Sequence, residues 1–302
     1  MSIGDALPNR LDGLPHALAT HAIWGLMPLY LVLVHRVPPF EFVAWRIVWT
    51  LPLCLAALAW RRQWGEVRAA FRDRRSLLLL ACSAMLVAIN WVTYVVAIQT
   101  GHVFAASLGY YILPLVMMLL GMLVLGERLS GAQWGAVALA AFGVALLAAG
   151  ARTTLWLSAT IAVTFGFYGL IRKQVAVGPV AGLTIETLLL YLPSIAVATW
   201  FGLSPAGSSM AQGLGLAAAV ALGGPMTAVP LALFATAARR MDYTTIGFLQ
   251  FLSPTIVFVL GLLWFHEPLH PAQLGCFVLI WCAMALFVWD LLRGRRAAAS
   301  RA

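Results

Sequence analysis

Residues 114–135 read PLVMMLLGMLVLGERLSGAQWG, and residues 254–275 read PTIVFVLGLLWFHEPLHPAQLG. Laid over each other at a shift of 140 residues, without gaps, they match Pro114 with Pro254, Gly121 with Gly261 and Glu127 with Glu267. Leu129, Gln133 and Gly135 likewise fall on Leu269, Gln273 and Gly275. Apolar sequence matches leucines by chance, but rarely this set of prolines, glycines and polar residues. Nearer the front of each half, Trp24-Gly25-Leu26 is similar to Tyr168-Gly169-Leu170 at a slightly larger offset. The chain is read as a duplication.

Outward from these stretches lie apolar runs of the roughly 20 residues a helix needs to cross a bilayer. Ten are found: Leu14–Val34, Phe40–Trp60, Ser76–Ile98, Val103–Leu125, Ala132–Ala149, Leu155–Ile171, Leu183–Phe201, Gly213–Ala237, Thr244–Phe265 and Pro271–Asp290. Each unit therefore holds five helices, over 14–149 and 154–290, and a basic tail, 291–302, follows. Because five is odd, Glu127 and Glu267 fall on opposite faces, so the repeats must be inverted. The predicted fold is an all-α polytopic membrane protein of ten transmembrane helices in two inverted five-helix repeats. Such repeats place their sites near mid-membrane, where the two units meet.

Composition agrees. Of 302 residues 63% are hydrophobic and 10% charged, against about 45–50% and 25% in soluble domains, so the excess needs a lipid solvent. The net charge of +9 sits in short loops between apolar runs, which points to topology rather than nucleic acid. With the N-terminus inside, one face receives Arg10, Arg61, Arg62, Arg68, Arg72, Arg74, Arg75, Arg128, Arg172, Lys173, Arg239 and Arg240. It also receives Arg293, Arg295, Arg296 and Arg301, leaving Arg36 and Arg152 opposite and Arg46 within the second helix. Positive charge stays cytoplasmic, so both termini are expected there. The polar start enters a long apolar stretch without a small-residue cleavage site, so no cleaved signal peptide is expected. Cys54, Cys82, Cys276 and Cys282 lie in apolar runs without paired spacing and imply neither disulfide nor metal.

Several stretches carry a family resemblance: Asn90-Trp91, Ala106-Ser107-Leu108-Gly109-Tyr110, Gly126-Glu127-Arg128, Phe167-Tyr168-Gly169-Leu170 with Arg172-Lys173, Ile185-Glu186-Thr187, and Gly247-Phe248 through Pro254-Thr255. The chain resembles RarD-type permeases of the EamA branch of the drug/metabolite transporter superfamily. The resemblance implies a multi-pass inner-membrane carrier with two EamA units and cytoplasmic termini. It also implies a central cavity, with the fifth and tenth helices at the periphery. The family name is associated with chloramphenicol sensitivity. The chain departs from its own repeat where Gly126-Glu127-Arg128 becomes His266-Glu267-Pro268.

Ionisable residues inside a membrane are costly and mark function by default. Arg46 lies six residues into its predicted helix, about 9 Å deep at 1.5 Å per residue; it suits either a substrate or counter-ion role or a snorkelling structural arginine. Glu186 approaches mid-membrane from the other face and is expected to face Arg46 across the repeat axis, as a site for a cation or a transported proton; interfacial placement is the bland reading. Glu41 follows Pro38-Pro39, where interaction with the helix dipole is the simpler account. Asn90, Trp91 and Tyr94 occupy about one turn, and Asn90 and Tyr94 share a face suited to orienting a small solute. Tyr110, Tyr111, Tyr168, Gln250 and Ser253 add polar groups that serve a cavity or interhelical bonding equally well. Pro114, Pro193, Pro230 and Pro254 permit kinks, as gates or as static packing.

His266-Glu267-Pro268-Leu269-His270 reproduces the HExxH zinc pattern, but Pro268 disfavours helix at Glu267 and the match falls in a loop. No metal is expected, and no cofactor. Ala132, Ala136 and Ala140, with Gly131 and Gly135, suit packing within the chain or against a second copy as a homodimer; the former is simpler. The function expected is secondary transport of a small-molecule metabolite or drug through a central cavity by alternating access. No Walker A loop is present for ATP-driven transport. A membrane-embedded enzyme, lacking a catalytic constellation, and a passive channel are the alternatives.

Overall fold

A computed structural model describes residues 12–149, 153–266 and 271–299. Ten helices are long and apolar enough to span a membrane: Leu14–Leu33, Pro39–Arg61, Arg74–Gln99, Val103–Leu125, Gly131–Ala148, Leu155–Gln174, Pro179–Leu203, Leu214–Arg240, Tyr243–Leu263 and Gln273–Arg293. Numbered as spans one to ten, they coincide with the ten expected runs apart from their ends. The seventh begins at Pro179 rather than Leu183, because proline at the first helical position has its φ pre-set and no N–H to leave unbonded. That difference carries Glu186 seven residues into the helix, about 10 Å at 1.5 Å per residue.

A short helix, Trp64–Arg72, joins spans two and three. It buries Val67 and Ala70 and leaves Arg68 and Arg72 exposed, as an amphipathic helix does. Asp73 then starts span three by accepting the N–H groups of Arg75 and Ser76 at 3.1 and 3.2 Å. Bonds from Ser76, side chain and backbone, hold the Asp73 carboxyl below its ordinary range. The cap is therefore complete above the usual carboxylate pKa and is lost as pH falls through the lowered value.

Spans eight and nine are interrupted. Span nine is built from Tyr243–Leu249 and Leu252–Leu263. Pro254 has no N–H to offer the carbonyl of Gln250 four residues back, and the Ser253 N–H takes that oxygen at 3.2 Å. Its counterpart Pro114 lies inside the continuous helix Val103–Leu125, so the duplication preserved the residue but not its effect. Span eight is built from Leu214–Ala221 and Gly223–Arg240, joined at Leu222.

The packing repeats under exchange of each span with the one five places on. Spans two and seven, four and nine, and five and ten pair with each other. Three on six is mirrored by eight on one, four on six by nine on one, and three on seven by eight on two. With an odd number of crossings per unit, the two units run through the membrane in opposite senses. Two pairings break the rule: spans six and eight pack together while their counterparts one and three make no comparable contact, and spans four and five do so while nine and ten do not.

Ala136 and Ala140 of span five are buried with Cys276, Ile280 and Ala283 of span ten. The small-residue face is thus used within the chain. In a bilayer such contacts are stabilised by close packing rather than by removal from water.

Candidate functional site

Thr184-Ile185-Glu186-Thr187 faces the packed interior of span seven, and all four residues are buried. The Glu186 carboxylate accepts the Ser83 hydroxyl from span three, lies 3.6 Å from Arg172 Nη1 of span six, and has the Tyr168 hydroxyl beside it. Arg172 Nη2 donates to the Pro179 carbonyl at 2.8 Å. Gly182 makes room for this guanidinium, since a Cβ there would stand 2.8 Å from Arg172 Cζ. Glu186 does not, therefore, face Arg46: its counter-charge is Arg172. The shared burial of both side chains, 1% and 3% exposed, identifies the pair as a desolvated one.

At the same shift of 140 residues Glu186 falls on Arg46, and Pro179 falls on Pro39. The two helix-start prolines set both ionisable residues at equal depth from opposite faces. Arg46 is half-buried. Its Nε–H donates to Thr227 Oγ1 of span eight at 2.9 Å, and its guanidinium lies 5.0 Å from the Trp91 ring centroid and 5.6 Å from that of Phe42. The phenols of Tyr30, Tyr94 and Tyr110 are within electrostatic reach. Gly223 leaves space for the Arg46 stem, as a Cβ there would stand 2.8 Å from its Cγ.

Between these poles is a void of about 10 Å³, the lower limit for one water. Thr227 and Trp91 line it towards Arg46, Tyr168, Glu186 and Thr187 towards the other end, and Thr50 between. Of the remaining expected residues, Tyr94 and Tyr110 meet edge to face at 5.9 Å beside Arg46. Asn90 is turned away from the void: its Nδ2 donates to the Ile161 carbonyl at 2.7 Å and to Thr164 at 3.2 Å, tying span three to span six. Gln250 sits at the break in span nine, buried, and is not part of the void's lining. Ser253 bonds the His21 carbonyl at 3.0 Å.

Sequence reasoning missed the bonds that close the arginine-rich end. Lys173 Nζ donates to the carbonyls of Ala238 and Met241 at 2.9 and 2.5 Å, and Arg239 donates to those of Val175 and Val177 at 3.0 and 2.6 Å. These staple span six to span eight. Glu127 accepts the N–H groups of Tyr243 and Thr244 at 2.6 and 2.7 Å, fixing the start of span nine beneath span four. Glu127→Ala is expected to lower stability by about 1.5–3 kcal/mol, the range for hydrogen bonds to charged groups; an unchanged melting curve in detergent would contradict this role. Above these bonds Trp24, Phe165, Tyr168 and Phe234 pack ring on ring. At the opposite end Glu41, in the first turn as its dipole reading requires, also accepts the Ser208 hydroxyl and the Ser209 N–H, both at 2.8 Å.

Among the described residues no three His, Cys, Asp or Glu side chains converge as a metal set. Glu267–His270, most of the HExxH match, and Arg152 lie outside the described residues.

Antiparallel five-span units meeting at a largely apolar void, with ionisable residues at mirrored positions on either side of it, define a multi-pass membrane transporter. Residues 13–149 match the EamA-like transporter family. Protein RarD of Streptomyces exfoliatus is 39% identical over 97% of this chain and 93% of its own length. An uncharacterized transporter of Pseudomonas aeruginosa is 41% identical over 96% and 98%. The chain belongs to the EamA-like transporter family, as a RarD-type permease. A solved crystal structure, 20% identical, shares the fold with a TM-score of 0.69 over 92% of this chain and 97% of that one. These names are those of transporters rather than enzymes.

Proposed function

We propose that this permease is a secondary transporter of the bacterial inner membrane, moving a small metabolite or drug by exposing the void between its halves alternately to each side. The observation that supports this most is the broken pairing rule. Spans six and eight are packed together at the arginine-rich end while spans one and three make no comparable contact. In an inverted repeat the opposite state follows by exchanging the two halves' arrangements, so spans one and three close as six and eight separate. The concentration of arginine on one face supports a cytoplasmic location for that face and both termini; the present conformation is then the one closed to the cytoplasm.

Glu186 carries the coupling, binding a proton or cation when Arg172 is drawn away from it. It is met by Arg172 from span six, Ser83 from span three, Tyr168 from span six and Cys54 from span two, so it has one cationic partner. No ATP or cofactor enters the cycle.

The test begins with a thermal-shift screen of amino acids, nucleobases and antibiotics, because a ligand of the folded form raises its apparent stability. A hit is then followed into sealed proteoliposomes. Saturable uptake with counterflow is expected; non-saturating conductance would favour a channel and overturn the proposal. Glu186→Gln is expected to flatten the pH dependence of that uptake. Uptake by the variant that follows pH as the parent does would remove Glu186 from the coupling step.

A further inference from the structure

We infer that Arg46 is an anion subsite, and that the transported solute carries a carboxylate held there against an aromatic wall. The inference rests on the transporter reading of the void and specifies its substrate class.

Arg46 and Arg172 are treated differently by the fold. Arg172 has an acid at 3.6 Å and a carbonyl at 2.8 Å. Arg46 has neither: among the described residues no carboxylate pairs with it, and its one hydrogen bond is from Nε to Thr227. A guanidinium offers five N–H donors in a planar fork. The four on its terminal nitrogens have no acceptor among the described residues; Arg172 also leaves Nε and Nη1 without a hydrogen bond, but its charge is met by Glu186 at 3.6 Å. What surrounds Arg46 instead is aromatic. The faces of Trp91 and Phe42 stabilise a cation without satisfying its donors, so the fork remains available to a ligand. Thr227 and Trp91, which hold Arg46, are also the side chains that end the void on this side.

A carboxylate matches the fork with two parallel charge-assisted bonds. Ile47, Leu183, Leu190 and Leu231 supply the rest of the lining as apolar surface, which suits a single anionic head on a compact apolar body. A phosphate dianion needs further donors beside the Arg46 fork, and at that end the lining offers Thr227 and Trp91, with Thr50, Thr187 and Tyr168 further along towards Glu186. Because Arg172 neutralises Glu186, Arg46 is the uncompensated charge beside the void, and an anion is drawn to its end.

The purified full-length protein in nanodiscs would be titrated calorimetrically with a panel of small aliphatic and aromatic monocarboxylates, each paired with its amide and its phosphate-ester analogue. At least one acid should bind about tenfold or more tightly than its amide, the difference made by one charge-assisted pair. Arg46→Gln should erase that preference and Arg46→Lys should keep part of it. Acids that bind no better than their amides, or phosphate esters that bind best, would overturn the inference. So would an acid preference that survives in Arg46→Gln. The acid-to-amide comparison is made on the unmodified protein and holds even where a variant fails to fold. It needs no flux: saturable uptake without an acid preference sinks this inference alone, whereas an acid preference without saturable uptake sinks the transport cycle alone.

Discussion

Arg172→Met should cost about 3–5 kcal/mol of stability, because it strands the buried Glu186 carboxylate without its cationic partner. Only Ser83 and Tyr168 would remain to it. Glu186→Gln should be costly for the mirror reason, since the Arg172 charge then has a single hydrogen-bond acceptor among the described residues, the Pro179 carbonyl at 2.8 Å. The double variant removes both charges and should lose less than the sum of the two, as contacting groups are not additive. Chemical or thermal unfolding in detergent, followed by circular dichroism, gives all three values. Additive losses would mean that the two residues are not a pair.

The second large effect concerns backbone contact. A Cβ at Gly224 would lie 2.5 Å from the carbonyl oxygen of Trp49 and 2.6 Å from its carbon, so spans two and eight touch main chain to main chain. A flexible side chain yields to such an intrusion; a helix backbone does not. Gly224→Val should destabilise by about 3 kcal/mol, the upper part of the range for overpacking. It should also displace Thr227 from Arg46, because Gly224 and Thr227 share the helix that must retreat from span two. Gly202→Ala is the contrast: nothing lies within 4 Å of its added carbon, and replacing a helical glycine should be neutral or stabilising by up to about 1 kcal/mol. Equal melting temperatures for Gly224→Val and the parent would refute the close crossing.

How much of this was legible in the sequence follows from the kind of force involved. The spans were, because each is fixed by its own length and hydropathy; so was the inversion, since an odd span count follows from the repeat. The depth of Arg46 was legible, and Trp91, Tyr94 and Tyr110 do gather beside it. The partner of Glu186 was not. Arg172 was counted as a loop charge serving topology, whereas span six continues to Gln174 and span seven starts four residues early, which brings both charges into the membrane. The 140-residue shift that sets Glu186 on Arg46 was the available signal that the two sit at opposite depths rather than face to face. The helix Trp64–Arg72 was missed because it is too short for a search for spans, although Val67 and Ala70 among arginines carry its period. Asn90 shows the limit of facial arguments. Its neighbour Trp91 reaches the void while Asn90 turns to span six, a choice set by where the neighbouring helix lies.

Alternating access requires that the void be reached from both sides of the membrane. Thr50→Cys and Thr187→Cys, placed separately in a chain whose Cys54, Cys82, Cys276 and Cys282 are replaced, would be exposed to a membrane-impermeant thiol reagent in right-side-out and inverted vesicles. Both thiols should react from either face, at rates that a transported solute shifts in opposite directions. Reaction from one face only, or from neither, would contradict a pathway between the two halves.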